Sequence, residues 1–250
     1  MTIEEQVIEY CKKYNVPLRY FFEILEDQKV VPMIRGKASE YNATFYLKDF
    51  FVHSIEWEVV KLNLNPQPDK DDQDLTIIHR KTGIDIRVEV KNAVRGSFTD
   101  GKRCRDLKVP HFSVKCHKSR SNTKKLGTTN DRYLLGAFDL IMSNSSNAII
   151  EGGFNTMEDL PLIKNKNRLS ILYNYYHVSN NTDLLNACYK DWRFAVPEEI
   201  ALPDGSIPRT PDVYLNADAD PYWFTSERLE MKLLTIVDRK MKQAKHTKHK

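Results

Sequence analysis

From residue 3 to residue 14, and again from 18 to 28, apolar side chains recur at three- and four-residue intervals, with Asn15-Val16-Pro17 as a turn between the runs. This pattern predicts a pair of amino-terminal helices. After Gly36 a third helix is expected to begin near Ser39, a side chain suited to capping, and to run through Glu40, Phe45, Leu47 and Phe51 towards His53. The period then changes. Residues 55–64 alternate Trp, Val and Leu with polar groups, which predicts a strand, and Asn65-Pro66-Gln67-Pro68 forces a turn after it. Two short β-branched runs, 75–79 and 84–90, flank Lys81-Thr82-Gly83 and read as a hairpin. Further strands are expected at 111–118, at 137–142 and, from its tyrosine-rich alternation, at 168–178. Residues 227–241 are amphipathic and predict a closing helix, followed by a basic tail at 242–250.

No repeat and no long linker interrupts this order, so a single domain is expected. Within it, 1–35 form a helical extension, 36–145 a core, 146–241 a carboxy-terminal part and 242–250 the tail. A chain of 250 residues can bury a substantial core, and 41% hydrophobic against 29% charged residues excludes a disordered or fibrous class. No apolar run approaches the roughly 18 residues that cross a bilayer. The first ten residues carry Glu4, Glu5 and Glu9 where a secretory leader would be basic and then apolar. A cytoplasmic location with no membrane partner is the expectation. Cys11, Cys104, Cys116 and Cys188 are scattered and lack CxxC spacing, so they are expected to be free thiols rather than disulfides or a zinc site.

The net charge of +4 is modest, but it is unevenly placed. Between Arg87 and Arg132 stand thirteen Lys and Arg against four acids, a local excess of nine positive charges, which is what a phosphate-binding surface needs. Directly upstream lies the chain's most chemically suggestive stretch, Asp69-Lys70-Asp71-Asp72-Gln73-Asp74 running into the first strand of the hairpin, and Val88-Glu89-Val90-Lys91 closing the second. Alternate strand residues share a face, so Glu89 and Lys91 project side by side while Val88 and Val90 face the core. Hairpin pairing can bring Asp74 beside Glu89. Two carboxylates converging with the Val90 carbonyl form a hard, oxygen-only site suited to Mg2+. An ammonium beside them can orient a water or neutralise charge during phosphodiester hydrolysis, and Lys91 is placed for that role.

An Asp opening one strand, followed by Glu-x-Lys on the next, resembles the PD-(D/E)XK nuclease family, which includes most type II restriction endonucleases. The pattern here is Asp74 followed by Glu89-Val90-Lys91, with helix, strand, Asp strand and Glu-x-Lys strand in the family's order over about residues 36 to 91. The literal Pro68-Asp69 dipeptide falls in the turn, so Asp74 is preferred as the ligand, with Asp72 as the alternative. Many members also carry a Glu on the preceding helix, a place Glu40 can fill. The resemblance implies an α/β fold, a central mixed β-sheet flanked by helices, here with the amino-terminal helical extension. It also implies a Mg2+-dependent endodeoxyribonuclease in which Asp74, Glu89, Lys91 and Glu40 are catalytic and Asp74, Glu89 and the Val90 carbonyl hold the metal.

In that family the strand after Glu-x-Lys and its neighbouring loop often reach DNA. Arg95, Lys102, Arg103, Lys115, Lys118 and Arg120 are accordingly the expected contacts to double-stranded DNA. A type II restriction enzyme is the expected role, since the chain has no GxxxxGK[ST] motif of an ATPase partner domain, and a symmetric target would call for a homodimer. The alternatives are a structure-selective or repair nuclease of the same fold, and a non-catalytic DNA-binding protein whose carboxylates only pair with lysines. His111 and His117 read as ordinary strand histidines, and Asp212, Asp218 and Asp220 as loop-capping aspartates rather than a second metal site.

Overall fold

The computed structural model describes residues 1–61, 74–101, 109–117, 131–151 and 162–247. Helix α1, Ile3–Lys13, opens on a reciprocal cap in which Thr2 and Glu5 satisfy each other's backbone amides. It stops at the predicted turn, where Asn15 takes a φ of 53° ahead of Pro17. A single 3-10 turn, Leu18–Tyr20, then leads into α2, Phe21–Glu26, so the second predicted helix is shorter than its apolar pattern.

Helix α3, Val30–Phe50, begins a full two turns before the expected start at Ser39. Pro32 sits in its first turn, where a missing amide costs nothing, and the helix runs straight through Gly36. Glycine in a helix interior costs about 1 kcal/mol relative to alanine, and burial of Ala43, Leu47 and Phe51 against the sheet outweighs it. The consequence concerns Glu40. It lies deep inside the helix rather than in its first turn, so the helix dipole does not account for it.

The sheet carries strands in the order β1-β2-β3-β5-β6-β8: β1 Trp57–Val60, β2 Leu75–His79, β3 Ile84–Val90, β5 Leu140–Asn144, β6 Trp192–Ala195 and β8 Trp223–Phe224. All neighbours are antiparallel except β3 and β5, which run parallel at the centre. A second, two-stranded sheet pairs β4, His111–Ser113, with β7, Asp212–Tyr214. The predicted hairpin is present, with His79 opposite Ile84 and Gly83 closing the turn at a φ of 67°. Its amide and that of Thr82 both donate to the His79 carbonyl.

Helices cover both faces. Val88, Val90, Leu140 and Met142 pack under α3 and the carboxy-terminal helix, Leu229–Thr247, which extends past the expected end at residue 241 into the basic tail. On the opposite face, Ile141 joins Phe98, Phe112, Leu172, Leu184 and Ile207. Each fully buried side chain of this size contributes roughly 1.5–3 kcal/mol. The described residues therefore form an α/β fold with a mostly antiparallel mixed sheet between helices.

The run expected as a strand at 168–178 is a helix, α4, Lys166–Tyr176. Asn165 caps it by accepting from the amides of Asn167 and Arg168, and His177, at a φ of 53°, ends it. Leu169, Leu172, Tyr173 and Tyr176 face the core at helical spacing; the neighbouring tyrosines only imitate an alternation of period two. Helix α5, Asn181–Lys190, and strand β6 after it carry too short a pattern to be anticipated. Among the described residues, Cys11, Cys116 and Cys188 are buried free thiols, and no helix is long and apolar enough to cross a membrane. Cys104 lies outside the described residues.

Candidate active site

The hairpin register decides the geometry. Leu75 pairs with Val88, so the next position outward sets Asp74 opposite Glu89. Successive strand amides leave opposite edges, and the Lys91 amide donates to Met142 on β5. The Val90 amide therefore faces the β2 side, where the Asp74 carboxylate takes it as an acceptor at 2.7 Å. A residue's N–H and C=O share an edge, which turns the Val90 carbonyl towards the same carboxylate.

Glu89 and Lys91 project from the face of β3 opposite that of the core residues Val88 and Val90. The Lys91 ammonium donates to Glu89 Oε1 at 2.5 Å and to the Tyr133 hydroxyl at 3.0 Å, and that hydroxyl donates to Glu89 Oε1 at 3.1 Å. Tyr133 is itself held edge-on by Phe138. Glu40, 8% exposed, projects from α3 to the same end of the sheet. It accepts from Lys37 at 2.8 Å and from Lys61, at the end of β1, at 2.9 Å. The Lys61 ammonium also lies 3.5 Å from the Asp74 carbonyl and 4.8 Å from the centre of the Tyr41 ring.

Three carboxylates thus lie within electrostatic reach of one another at one end of the sheet, and they are not treated alike. Glu40 and Glu89 each hold an ammonium, whereas Asp74 forms no ion pair among the described residues. Burial, with Glu89 and Glu40 nearby, pushes the Asp74 carboxyl up to about 7, against the opposing pull of the Val90 amide and of Lys91. Burial works against the Lys91 ammonium, yet Glu89 and Tyr133 beside it raise its pKa above the ordinary lysine value, so it stays charged. Burial, then Glu89, pushes the Tyr133 phenol up to about 12, so it remains a neutral donor. Cys116, driven up to about 12 by burial, is an inert thiol.

A buried carboxyl that resists ionisation beside two other acids is a place where a cation lowers the energy. No three His, Cys, Asp or Glu side chains among the described residues close on a single point as a full ligand cage. The donor set is two carboxylates and a backbone carbonyl, all oxygen. Mg2+ accepts such a set, because it keeps several waters and commonly takes only one or two protein carboxylates beside phosphate oxygens. Asp74, Glu89 and Val90 therefore fit the ion that the sequence points to.

Of the expected DNA contacts, Lys115 is exposed, and its amide donates to the Asn92 carbonyl, which ties it to the loop leaving Lys91. Burial and the neighbouring Arg35 lower the pKa of Arg95. Lys102, Arg103, Lys118, Arg120 and the alternative ligand Asp72 lie outside the described residues. His111 is buried with Nδ1 2.8 Å from the Val109 carbonyl oxygen, a structural position. Asp220 accepts from the amides of Tyr214, Tyr222 and Trp223 and so caps a loop.

Lys61, Lys37 and Tyr133 are site residues that sequence reasoning passes over. Lys61 had a usable signal: extending the β1 register places it opposite Leu75, next to Asp74. Tyr133 had none, because its partners lie more than forty residues upstream. No protein-family model, curated protein or solved structure matches this chain, so its chemistry is argued from these distances.

Proposed function

We propose that this chain is a Mg2+-dependent endonuclease of the PD-(D/E)XK kind that cuts double-stranded DNA at a specific sequence, as a type II restriction enzyme does. The observation that carries the proposal is Asp74 set opposite Glu89 on a hairpin whose next same-face residue is Lys91, with Asp74 lacking any ammonium partner among the described residues. The succession of α3, β1, the Asp strand and the Glu-x-Lys strand supports that reading.

Asp74, Glu89 and the Val90 carbonyl would hold the ion. When bound, Mg2+ supplies charge for the phosphoryl oxygens and lowers the pKa of a water. The Lys91 ammonium keeps its charge and directs N–H groups towards the space beside Glu89, where it neutralises the charge gathering on the phosphate and orients the attacking water. Glu40 holds Lys61 over the Asp74 carbonyl and fixes the outer wall. Lys115 and Arg95 would be contacts to the duplex backbone. A symmetric target would be met by a homodimer, one active site per strand.

The test is to incubate the purified protein with unmethylated genomic and phage DNA, in Mg2+ or EDTA, beside a Lys91→Ala control. Discrete fragments that need both Mg2+ and Lys91 are expected. A smear would favour a structure-selective or repair nuclease. A second reading has its own support, since Glu40 and Glu89 already carry lysine partners, as in a DNA-binding protein without catalysis. It would be favoured by binding that persists in EDTA with no cutting in any divalent metal.

A further inference from the structure

Tyr133 hydrogen-bonds to both members of the Glu89–Lys91 pair. Its hydroxyl has one proton and two lone pairs, and the structure uses them in opposite directions: the proton goes to Glu89 Oε1 at 3.1 Å, and a lone pair accepts from Lys91 Nζ at 3.0 Å. The hydroxyl cannot swing away freely, because the ring rests edge-on against the buried Phe138, with centroids 5.1 Å apart.

We infer that Tyr133 is a positioning residue of the proposed nuclease site, and the inference rests on that proposal. By sharing Glu89 Oε1 with Lys91, it leaves Oε2 available to a divalent cation. By accepting one ammonium proton, it keeps Lys91 from leaning wholly on Glu89 and competing with that cation. Removing the hydroxyl leaves the ammonium with Glu89 as its sole described side-chain acceptor, so Lys91 and the metal would contend for the same carboxylate.

Tyr133→Phe keeps the ring and deletes only the hydroxyl. Its melting temperature, its Mn2+ affinity by calorimetry, its DNA affinity in Ca2+ and its single-turnover cleavage rate in Mg2+ would be compared with those of the wild type and of Lys91→Met. Partners of this kind behind a metal ligand are worth about 10- to 100-fold in metal affinity or activity. The expected result is Mn2+ binding weakened roughly tenfold and cleavage slowed by at least as much. DNA affinity should be unchanged, and Lys91→Met should bind Mn2+ more tightly than the wild type.

A purely structural tyrosine would lower the melting temperature and leave the metal affinity and the rate alone, which would overturn the assignment. A wild type that binds Mn2+ and cuts beside an unaltered Tyr133→Phe overturns the role of Tyr133 and leaves the nuclease standing. A wild type that neither binds Mn2+ nor cuts overturns both.

Discussion

Two buried charge clusters lie in this fold and are built to opposite specifications. On β6, Arg193 is only 1% exposed, and its guanidinium is met by both oxygens of Asp191, by the Tyr175 hydroxyl and by the Leu215 carbonyl. Asp191 in turn accepts from the Tyr176 hydroxyl. One cation is hydrogen-bonded to one anion, with the charge of Asp220 nearby and neutral groups around them. At the end of β2 and β3, by contrast, Glu40 and Glu89 hold the ammoniums of Lys37, Lys61 and Lys91, while Asp74 near them has, among the described residues, a backbone amide and no ammonium of its own. A balanced network can be left closed. A buried carboxyl with no ammonium of its own is unfavourable in its ionised form until something cationic enters, which is why the Asp74 end is read as a site and the other as a strut.

The contrast is sharpest when each cluster loses its central charge. Arg193→Leu would strand Asp191 and is expected to destabilise the protein by about 3–5 kcal/mol, the usual consequence of removing one partner of a buried pair. Asp74→Asn should do the reverse. The amide oxygen can still accept from Val90, and the crowding with Glu89 and Glu40 is relieved, so a gain of at most about 4 kcal/mol at pH 8 is expected. The same substitution should remove DNA cleavage by at least about 10²-fold. Denaturant melts and a cleavage assay on both variants check the pair. An Asp74→Asn protein that is less stable than the wild type would mean that Asp74 is a strut after all.

Acidity offers the second way to separate the clusters. The Asp74 carboxyl titrates near 7 in the folded protein against an ordinary 3.8. A raised carboxyl pKa means that the folded state holds the proton longer than the unfolded chain, so stability falls as pH rises from about 4 to about 7 and levels off above that. At 1.36 kcal/mol per unit, the ceiling on the loss is about 4 kcal/mol. In metal-free buffer the wild type should lose stability across this window relative to Asp74→Asn, and Mg2+ at pH 8 should restore much of it to the wild type alone. Parallel curves for the two proteins, with and without Mg2+, would place the Asp74 proton outside the balance.

The Asp74 cluster is legible in the sequence and the Arg193 cluster is not, and the reason is distance along the chain. Asp74, Glu89 and Lys91 sit on one hairpin, whose turn residues and period-two alternation carry the register. Glu40 was found as a residue but not in its setting, because the α3 start was sought at Ser39 and the helix runs on from Val30. Tyr133 and the Arg193 network depend on β3 lying parallel to β5 and on β6 lying beside β5, pairings between segments with no shared local pattern. The mistaken strand at α4 has the same origin: tyrosine alternation is a weak signal, and a cap at Asn165 with apolar residues at helical spacing outweighs it. Hairpin chemistry can be read locally, while crossover pairing is decided by tertiary packing.

The smallest effect tests that hairpin itself. Gly83 holds a φ of 67°, and a Cβ there would meet nothing within 4 Å, so Gly83→Ala changes backbone strain and not packing. A left-handed conformation costs an L-residue about 1–2 kcal/mol, and the variant should be less stable by about that amount and melt lower. Two responses to the strain are open. If the turn absorbs it, His79 stays opposite Ile84, Asp74 stays opposite Glu89, and cleavage at a temperature well below the melt is unchanged. If the strain instead slips the register by one residue, every side chain of β2 changes face, and Leu75 and Ile77 would leave the core. Burial of those two side chains opposes the slip by several times the strain energy at roughly 1.5–3 kcal/mol each, so a lower melt with full activity is expected. A Gly83→Ala protein that keeps its melting temperature but loses cleavage would show that the register holding Asp74 beside Glu89 is set by the turn and not by the core beneath it.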